Sequence, residues 1–259
     1  FRPTTPAEPP AGALRFGLIG YHQPDQSRAS RNVGDYVQTL ALLGNLARFR
    51  GVEFSGEGGL GELAATIQSR VTEDLHLDSP QRGVHLVPVS RDFSDGDAIP
   101  EDTWMVAFGW HMHSSFRLNF GLPYHRHIKP IFVSFHVNRV AVLDEPTIAY
   151  LKANGPIGCR DWTTVDLLLS AGVDAFFTGC LTTTVNAAFP DTASVAPGAE
   201  RVTAVIDLPL RVEHEVPEPK HVFTHVDPVN RDLNLVDGTR AALDLLDTYQ
   251  RSYDHVVTS

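Results

Sequence analysis

The chain has 259 residues, of which 42% are hydrophobic and 20% charged, and this composition excludes a disordered or fibrous protein. Its 21 Lys and Arg residues against 31 Asp and Glu residues give a net charge of −10. Because no basic run offsets that charge, little in the chain would neutralise a phosphate backbone, and we expect no nucleic acid partner.

Two further features bear on the compartment. Cys159 and Cys180 are the only cysteines, too few for a disulfide framework, so we expect a reducing, cytoplasmic location. No apolar run approaches the ~20 residues of a membrane span, so we expect no transmembrane segment. The Pro-rich residues 1–13 lack the apolar core of a signal peptide and are predicted to form a flexible arm.

From residue 14 the chain alternates strand-like and helix-like segments. The apolar run 14–20 ends in Gly and predicts a buried strand, and apolar residues three and four apart predict an amphipathic helix over 33–49. The stretch 54–82 is Gly-rich, with a helix-like part at 60–71. Further strands are predicted at 84–89, 104–109, 131–137, 157–159 and 175–177, and further helices at 145–153 and 161–172. This alternation predicts an α/β domain over 14–195 built on a mostly parallel sheet.

Small residues and prolines over 190–198 predict a hinge. Beyond it the same alternation restarts, with strands at 202–207, 221–225 and 255–258 and a helix at 237–249. Two or three strands and one helix bury little of a sheet. We therefore expect residues 196–259 to be the start of a second domain, with the chain ending inside it.

The segment Asn32-Val33-Gly34-Asp35 stands where the polar loop after the first strand meets the helix. A helix N-terminus in this position presents free N–H groups and is a common anion seat in α/β folds. On the alternative reading, Asn32 only caps the helix and Asp35 only complements its dipole. The spacing favours the cap.

Arg160 and Asp161 lie between a predicted strand and a predicted helix. The planar guanidinium group suits a carboxylate or phosphate, and ligands of open α/β sheets bind at the carboxyl ends of strands. Alternatively, Arg160 pairs with Asp161 on the surface. His136, near the end of another strand, is a candidate for proton exchange, with a hydrogen-bonded core histidine as the alternative.

Other histidines occur two apart, a spacing that puts both rings on one face of a strand. They are His111, His113, His125 and His127. No Cys, Asp or Glu stands at a matching spacing, so we predict no metal site. Dinucleotide, P-loop and nucleophile-elbow motifs do not occur.

Three stretches together resemble the polysaccharide pyruvyl transferase family. They are NVGDYVQTLAL, then FGWHMH followed by IKPIFVSFHVN, and finally PIGCRDWTTVDLLLSAGVDAFFTGCLTTT. The likeness covers most of residues 14–184, and the third stretch is the most specific, with its Arg-Asp pair, Leu-rich helix and Gly-Cys-Leu-Thr turn.

The resemblance implies two Rossmann-like domains arranged as in glycosyltransferases of the B class, with the active site between them. It implies transfer of the enolpyruvyl group of phosphoenolpyruvate to sugar hydroxyls, with release of phosphate and no cofactor. Arg160 would bind the anionic donor and His136 would act as base or acid. The substrate-binding residues implied are Asn32, Gly34, Asp35, Asp161, Thr182 and Thr183.

In the family an Arg-Leu-His segment follows a strand like DHVVTS, and the present chain ends there, at Ser259. We therefore expect no transfer by these 259 residues alone. Two alternatives to pyruvyl transfer stay open. One is a glycosyltransferase of the B class with a nucleotide-sugar donor, because fold does not determine function. The other is a non-catalytic carbohydrate-binding or regulatory domain of a larger protein.

Overall fold

The computed structural model describes residues 9–21, 30–111, 121–188, 202–226 and 233–258, together with the backbone of 114–115 and 118–119. Most of the predicted arm, most of the loop before residue 33, His113 and the predicted hinge lie outside these ranges.

The strands, in chain order, are β1 (Leu14–Gly20), β2 (Val52–Gly56), β3 (Arg82–Ser90), β4 (Thr103–Trp110), β5 (Ser114–Ser115), β6 (Leu118–Asn119), β7 (Ile128–His136), β8 (Ile157–Cys159), β9 (Ala175–Phe177), β10 (Thr203–Ile206), β11 (Lys220–Phe223) and β12 (His255–Thr258). The α-helices are α1 (Val33–Ala47), α2 (Leu60–Gln68), α3 (Glu145–Ala153), α4 (Trp162–Ser170), α5 (Leu210–Glu213) and α6 (Leu235–Ser252). Strand β2 is the one element of the main sheet that the sequence pattern did not predict.

Seven strands form one sheet in the order β2-β3-β1-β4-β7-β8-β9, and every pair in it is parallel. The last five residues of β1 are all buried, so the sheet is covered on both faces there. The prediction of an α/β fold with a Rossmann-like parallel sheet is confirmed. After β1 the chain continues into strands on one side of it, and after β4 it continues into strands on the other side. A crevice that can hold a ligand forms at the carboxyl ends of the strands where the strand order reverses in this way.

A β-bulge near the end of β7 sets the direction of its last side chains. Ala107 pairs with Phe132, but Gly109 pairs with Phe135, so β7 contains one extra residue. Ser134 takes up this residue with a φ of 60°, and its hydroxyl accepts a hydrogen bond from the Leu181 amide at 2.9 Å. Bulges of this kind re-aim side chains next to functional sites. Here the bulge brings His136 opposite Trp110.

A second, three-stranded parallel sheet has the order β11-β10-β12. Helix α6 packs against both groups of strands: Leu235 and Leu243 belong to the core of the large sheet, and Tyr249 belongs to the core of the small one. Arg70 of the segment after α2 makes a two-pronged ion pair with Asp247 of α6. The domain boundary at residue 195 stays a prediction.

No helix in the described ranges is both long enough and apolar enough to cross a membrane.

The contact between α1 and α6 depends on a glycine. A Cβ atom added at Gly238 would overlap the ring of Tyr36, which is buried on α1. We expect Gly238→Ala to lower the free energy of unfolding by about 1–3 kcal/mol, because overpacking outweighs the better helix propensity of alanine. Urea denaturation measures the change. Asp244→Ala, at an exposed position of the same helix, is the control and should stay within about 0.5 kcal/mol of the parent. An unchanged Gly238→Ala variant would mean that the two helices are not in close contact.

Candidate active site at the carboxyl ends of β7 and β8

His136 and Asp161 are joined by a hydrogen bond at the edge of the large sheet where the strands end. His136 closes β7 and Asp161 follows β8, and the imidazole Nδ1 lies 2.5 Å from the Asp161 Oδ2. The side chain of His136 is 14% exposed and that of Asp161 is 33% exposed, so both are within reach of a ligand. With Nδ1 donating to the carboxylate, the neutral ring keeps its lone pair on Nε2.

The Asp161 carboxylate also begins helix α4. It accepts hydrogen bonds from the Thr164 amide at 2.9 Å and from the Thr164 hydroxyl at 3.1 Å. Burial raises the pKa of Asp161, but the hydrogen bonds from His136 and Thr164 outweigh it and hold that pKa below its usual value. Asp161 is therefore ionised at neutral pH and holds the imidazole in one orientation.

Trp110, at the end of β4, connects the histidine to Arg160. Its ring lies 4.9 Å from the His136 ring, and the Arg160 guanidinium carbon lies 5.1 Å from the indole centroid on which it stacks. The indole is 39% exposed. Trp110 was not among the predicted site residues, although it lies in the stretch FGWHMH. Its place in that stretch, directly after a glycine at the end of a predicted strand, was the available signal.

The four side chains of His136, Asp161, Arg160 and Trp110 form one cluster, which we call the dyad site. It combines a proton acceptor, a fixed carboxylate, a permanent cation and an aromatic face. This set can deprotonate a hydroxyl group beside a bound anion.

An exposed aromatic pair adjoins the dyad site. Trp162 follows Asp161, is 64% exposed and stacks on Phe177, with parallel rings 4.9 Å apart. The pair forms an apolar wall at the same edge of the sheet, because Phe177 pairs with Cys159 at the end of β8.

Asn32, Gly34 and Asp35 form a separate group at the start of α1. The Asn32 side chain caps the helix by accepting from the Gly34 amide at 2.9 Å, and Asp35 accepts from the Ser30 hydroxyl at 2.5 Å. The amide of Val33 donates to the His225 carbonyl at 2.9 Å, so this helix end is tied to the loop after β11. The structure therefore gives Asn32 the capping geometry that the sequence favoured. Whether the group also touches substrate stays a prediction.

Thr182 and Thr183 lie in a short 3-10 helix, Leu181–Ala187, after β9. The Thr182 hydroxyl is 3.0 Å from the Cys180 sulfur, and the Thr183 hydroxyl donates to the Cys180 carbonyl at 2.7 Å. Their helix packs against α1. The two threonines stabilise their own turn. Whether they also line the substrate cleft stays a prediction.

Of the four histidines that occur two apart in the sequence, His111, His125 and His127 have structural partners, and His113 lies outside the described residues. His111 is buried, its Nε2 accepts from the Tyr124 hydroxyl at 2.6 Å, and burial, together with the nearby Arg91 charge, lowers its pKa to about 4. His127 Nδ1 lies 2.8 Å from the Ile99 carbonyl. Within the described ranges no three His, Cys, Asp or Glu side chains could hold a metal ion together.

No family model, no curated protein and no solved structure matches this chain.

The charge on Asp161 should stabilise the fold. Because its pKa is lowered in the folded state, that stabilisation is present above the unfolded value of about 4 and is lost as the pH falls through the folded pKa. We expect Asp161→Asn to lower the free energy of unfolding at pH 7 by about 1 kcal/mol, and less below pH ~4. Denaturant unfolding at several pH values measures this.

The control for Asp161→Asn is Asp144→Asn. Asp144 caps α3 by accepting from the Thr147 amide at 2.9 Å, and asparagine caps helices about as well as aspartate. The two variants therefore separate capping from the interaction with His136. An equal loss in both would contradict a specific role for the Asp161 charge.

Proposed function

We propose that the chain belongs to an enzyme that transfers the enolpyruvyl group of phosphoenolpyruvate to hydroxyl groups of a sugar in a polysaccharide or its precursor. The observation that carries the proposal is the His136–Asp161 pair with Arg160 beside it at the carboxyl edge of the sheet. These are the residues on which the resemblance to the polysaccharide pyruvyl transferases had placed the chemistry.

Arg160 supplies the site for the anionic donor. Its backbone is held by a hydrogen bond from its own amide to the Phe135 carbonyl at 2.9 Å, and its side chain is held by stacking on Trp110. A guanidinium group held in this way loses less conformational freedom on binding and pairs with a carboxylate or phosphate in a two-pronged geometry.

His136 supplies the base. Its Nε2 accepts the proton of a sugar hydroxyl while the oxygen bonds to C2 of the donor and a proton from solvent adds to C3. The C2–O bond to phosphate then breaks and a second hydroxyl adds to C2, its proton passing to the released phosphate while His136 returns its own proton to solvent. The products are a cyclic ketal with a methyl group, and free phosphate. Asp161 keeps the imidazole oriented and stabilises it when protonated. This mechanism needs no cofactor.

We assign the sheet of β10, β11 and β12 to a second Rossmann-like domain in an arrangement like that of the B-class glycosyltransferases. A cytoplasmic location agrees with Cys159 and Cys180, both of which are free thiols.

Donor binding depends on Arg160. We expect isothermal titration of the chain with phosphoenolpyruvate to show binding that Arg160→Ala weakens by about 10–100-fold, through loss of a charge-assisted pair. Arg126→Ala is the control, since Arg126 is exposed and precedes β7, at the opposite end of the strand. Binding of nucleoside diphosphates in the same titration, without binding of phosphoenolpyruvate, would instead support a nucleotide-sugar donor.

Turnover depends on His136. In the natural full-length protein we expect His136→Gln to lower kcat for phosphate release in the presence of a sugar acceptor by about 10²–10⁴-fold, as for loss of a general base. The affinity for phosphoenolpyruvate should stay within about threefold, because the base takes no part in binding the anion. His76→Gln, outside the dyad site, is the control. If His136→Gln and Arg160→Ala both leave every activity unchanged, the chain is a non-catalytic domain.

A further inference from the structure

Two aromatic side chains are exposed to solvent side by side at the carboxyl ends of β8 and β9. Trp162 is 64% exposed and Phe177 is 45% exposed, and their rings stack 4.9 Å apart with an angle of 7° between the ring planes. They come from different elements, since Trp162 begins α4 and Phe177 ends β9. Contiguous apolar surface left in water next to a candidate active site is typical of a ligand-binding surface.

The order of the strands places His136 between this aromatic pair and the cation of the dyad site. Strands β4, β7, β8 and β9 are neighbours in that order. Arg160 reaches from the end of β8 to the indole of Trp110, which ends β4, whereas Trp162 stacks on Phe177 of β9. His136 ends β7, so its strand end lies between those of β4 and β9. A donor on the guanidinium group and a ligand on the aromatic pair would therefore approach the imidazole from opposite sides.

The separation between the aromatic pair and the imidazole suits a small saccharide. Strand β8 alone separates β7 from β9, and two strand spacings amount to about 10 Å. Trp162 is also the residue next to Asp161, whose Oδ2 lies 2.5 Å from the His136 Nδ1. A mono- or disaccharide that rests on the indole can thus bring one of its hydroxyl groups to His136.

The chemistry of the two neighbouring groups selects a pyranose ring. One side of such a ring carries C–H groups, which pack on the flat, electron-rich face of an aromatic side chain, and hydroxyl groups project from its rim. A single ring can therefore contact the indole of Trp162 while a rim hydroxyl donates to the lone pair on the His136 Nε2.

The size of the exposed surface favours a small ligand over a protein partner. A stable protein–protein interface takes about 800 Å² from each partner, whereas the exposed parts of two aromatic side chains provide about 200 Å². Phe176 is exposed as well, but it does not extend this surface, because successive residues of a strand point to opposite faces of the sheet.

We infer that the indole of Trp162, supported by Phe177, binds a pyranose ring of the acceptor by stacking. The inference rests on the proposed function for the identity of the ligand as the acceptor. Stacking of a sugar on Trp162 is a separate property and can be tested alone.

The first test is titration of the chain, followed by saturation-transfer NMR, with the methyl glycosides of glucose, galactose and mannose. We expect at least one glycoside to bind. Trp162→Ala should weaken its binding by about tenfold, as for loss of an aromatic contact, and Trp162→Phe, which keeps an aromatic face, should stay within about threefold of the parent. Because Trp162 is mostly exposed, both variants should fold, and circular dichroism checks this.

A second measurement locates the sugar directly. The chain has 3 tryptophans, so a proton–nitrogen correlation spectrum contains one indole signal for each, and the signal that is lost in Trp162→Phe belongs to Trp162. We expect the glycoside to shift this signal. The matched control is Trp104, another partly exposed tryptophan, near the start of β4 at the opposite end of the strand from Trp110. Its signal should stay in place, and Trp104→Ala should bind the glycoside like the parent.

The inference is overturned if no methyl glycoside binds, if the Trp162 signal does not move when one binds, or if Trp162→Ala binds it as tightly as the parent. Uridine and adenosine are titrated alongside. A shift of the Trp162 signal by a nucleoside, with none by any glycoside, would also overturn it and would assign the aromatic pair to a nucleobase.

The same spectra separate this inference from the proposed function. Phosphoenolpyruvate bound to Arg160 should shift the indole signal of Trp110, on which the guanidinium group stacks, and the glycoside should shift that of Trp162. A glycoside shift without a phosphoenolpyruvate shift would remove the proposed donor and leave Trp162 as a sugar site. The reverse result would retain the donor site and overturn the stacking of a sugar on Trp162.

Discussion

Seven parallel strands impose the constraint on which the rest of the molecule depends. Each parallel strand needs a crossover, so the segments that follow the strands all emerge at the same edge of the sheet. His136, Arg160, Asp161 and Trp110 meet there although they come from three different strand ends. A cavity bordered by Glu57 and Asp97 opens at that edge for the same reason.

The dyad site has a guanidinium group held on an indole ring. The chain has a net charge of −10, and Arg160 places a positive charge at the dyad site of this acidic protein.

Asp161 has two functions in one carboxylate. It caps α4 through Thr164, and it holds His136 through Nδ1. Helix formation and orientation of the proposed base are therefore coupled: a change that frays the start of α4 also releases the imidazole. The bulge at Ser134 contributes to the same end, because it sets which way the last residues of β7 face.

Sequence reasoning predicted most of the fold, since apolar periodicity and glycine stops depend on local burial alone. Strands β1, β8, β9 and β12 and helix α3 have their predicted bounds. Strand β2 was missed because it is short, only half-buried and merges into a Gly-rich stretch.

The positions of His136, Arg160 and Asp161 at strand ends also followed from the order of residues along the chain. Their meeting at Trp110 and the closing of a cavity over β1, β2 and β3 by α6 emerged only in the folded chain. Those outcomes depend on strand order, on a one-residue bulge and on the packing of α6 against α1, which lies far from it in sequence. Contacts between such distant segments leave no local periodicity from which they could be predicted.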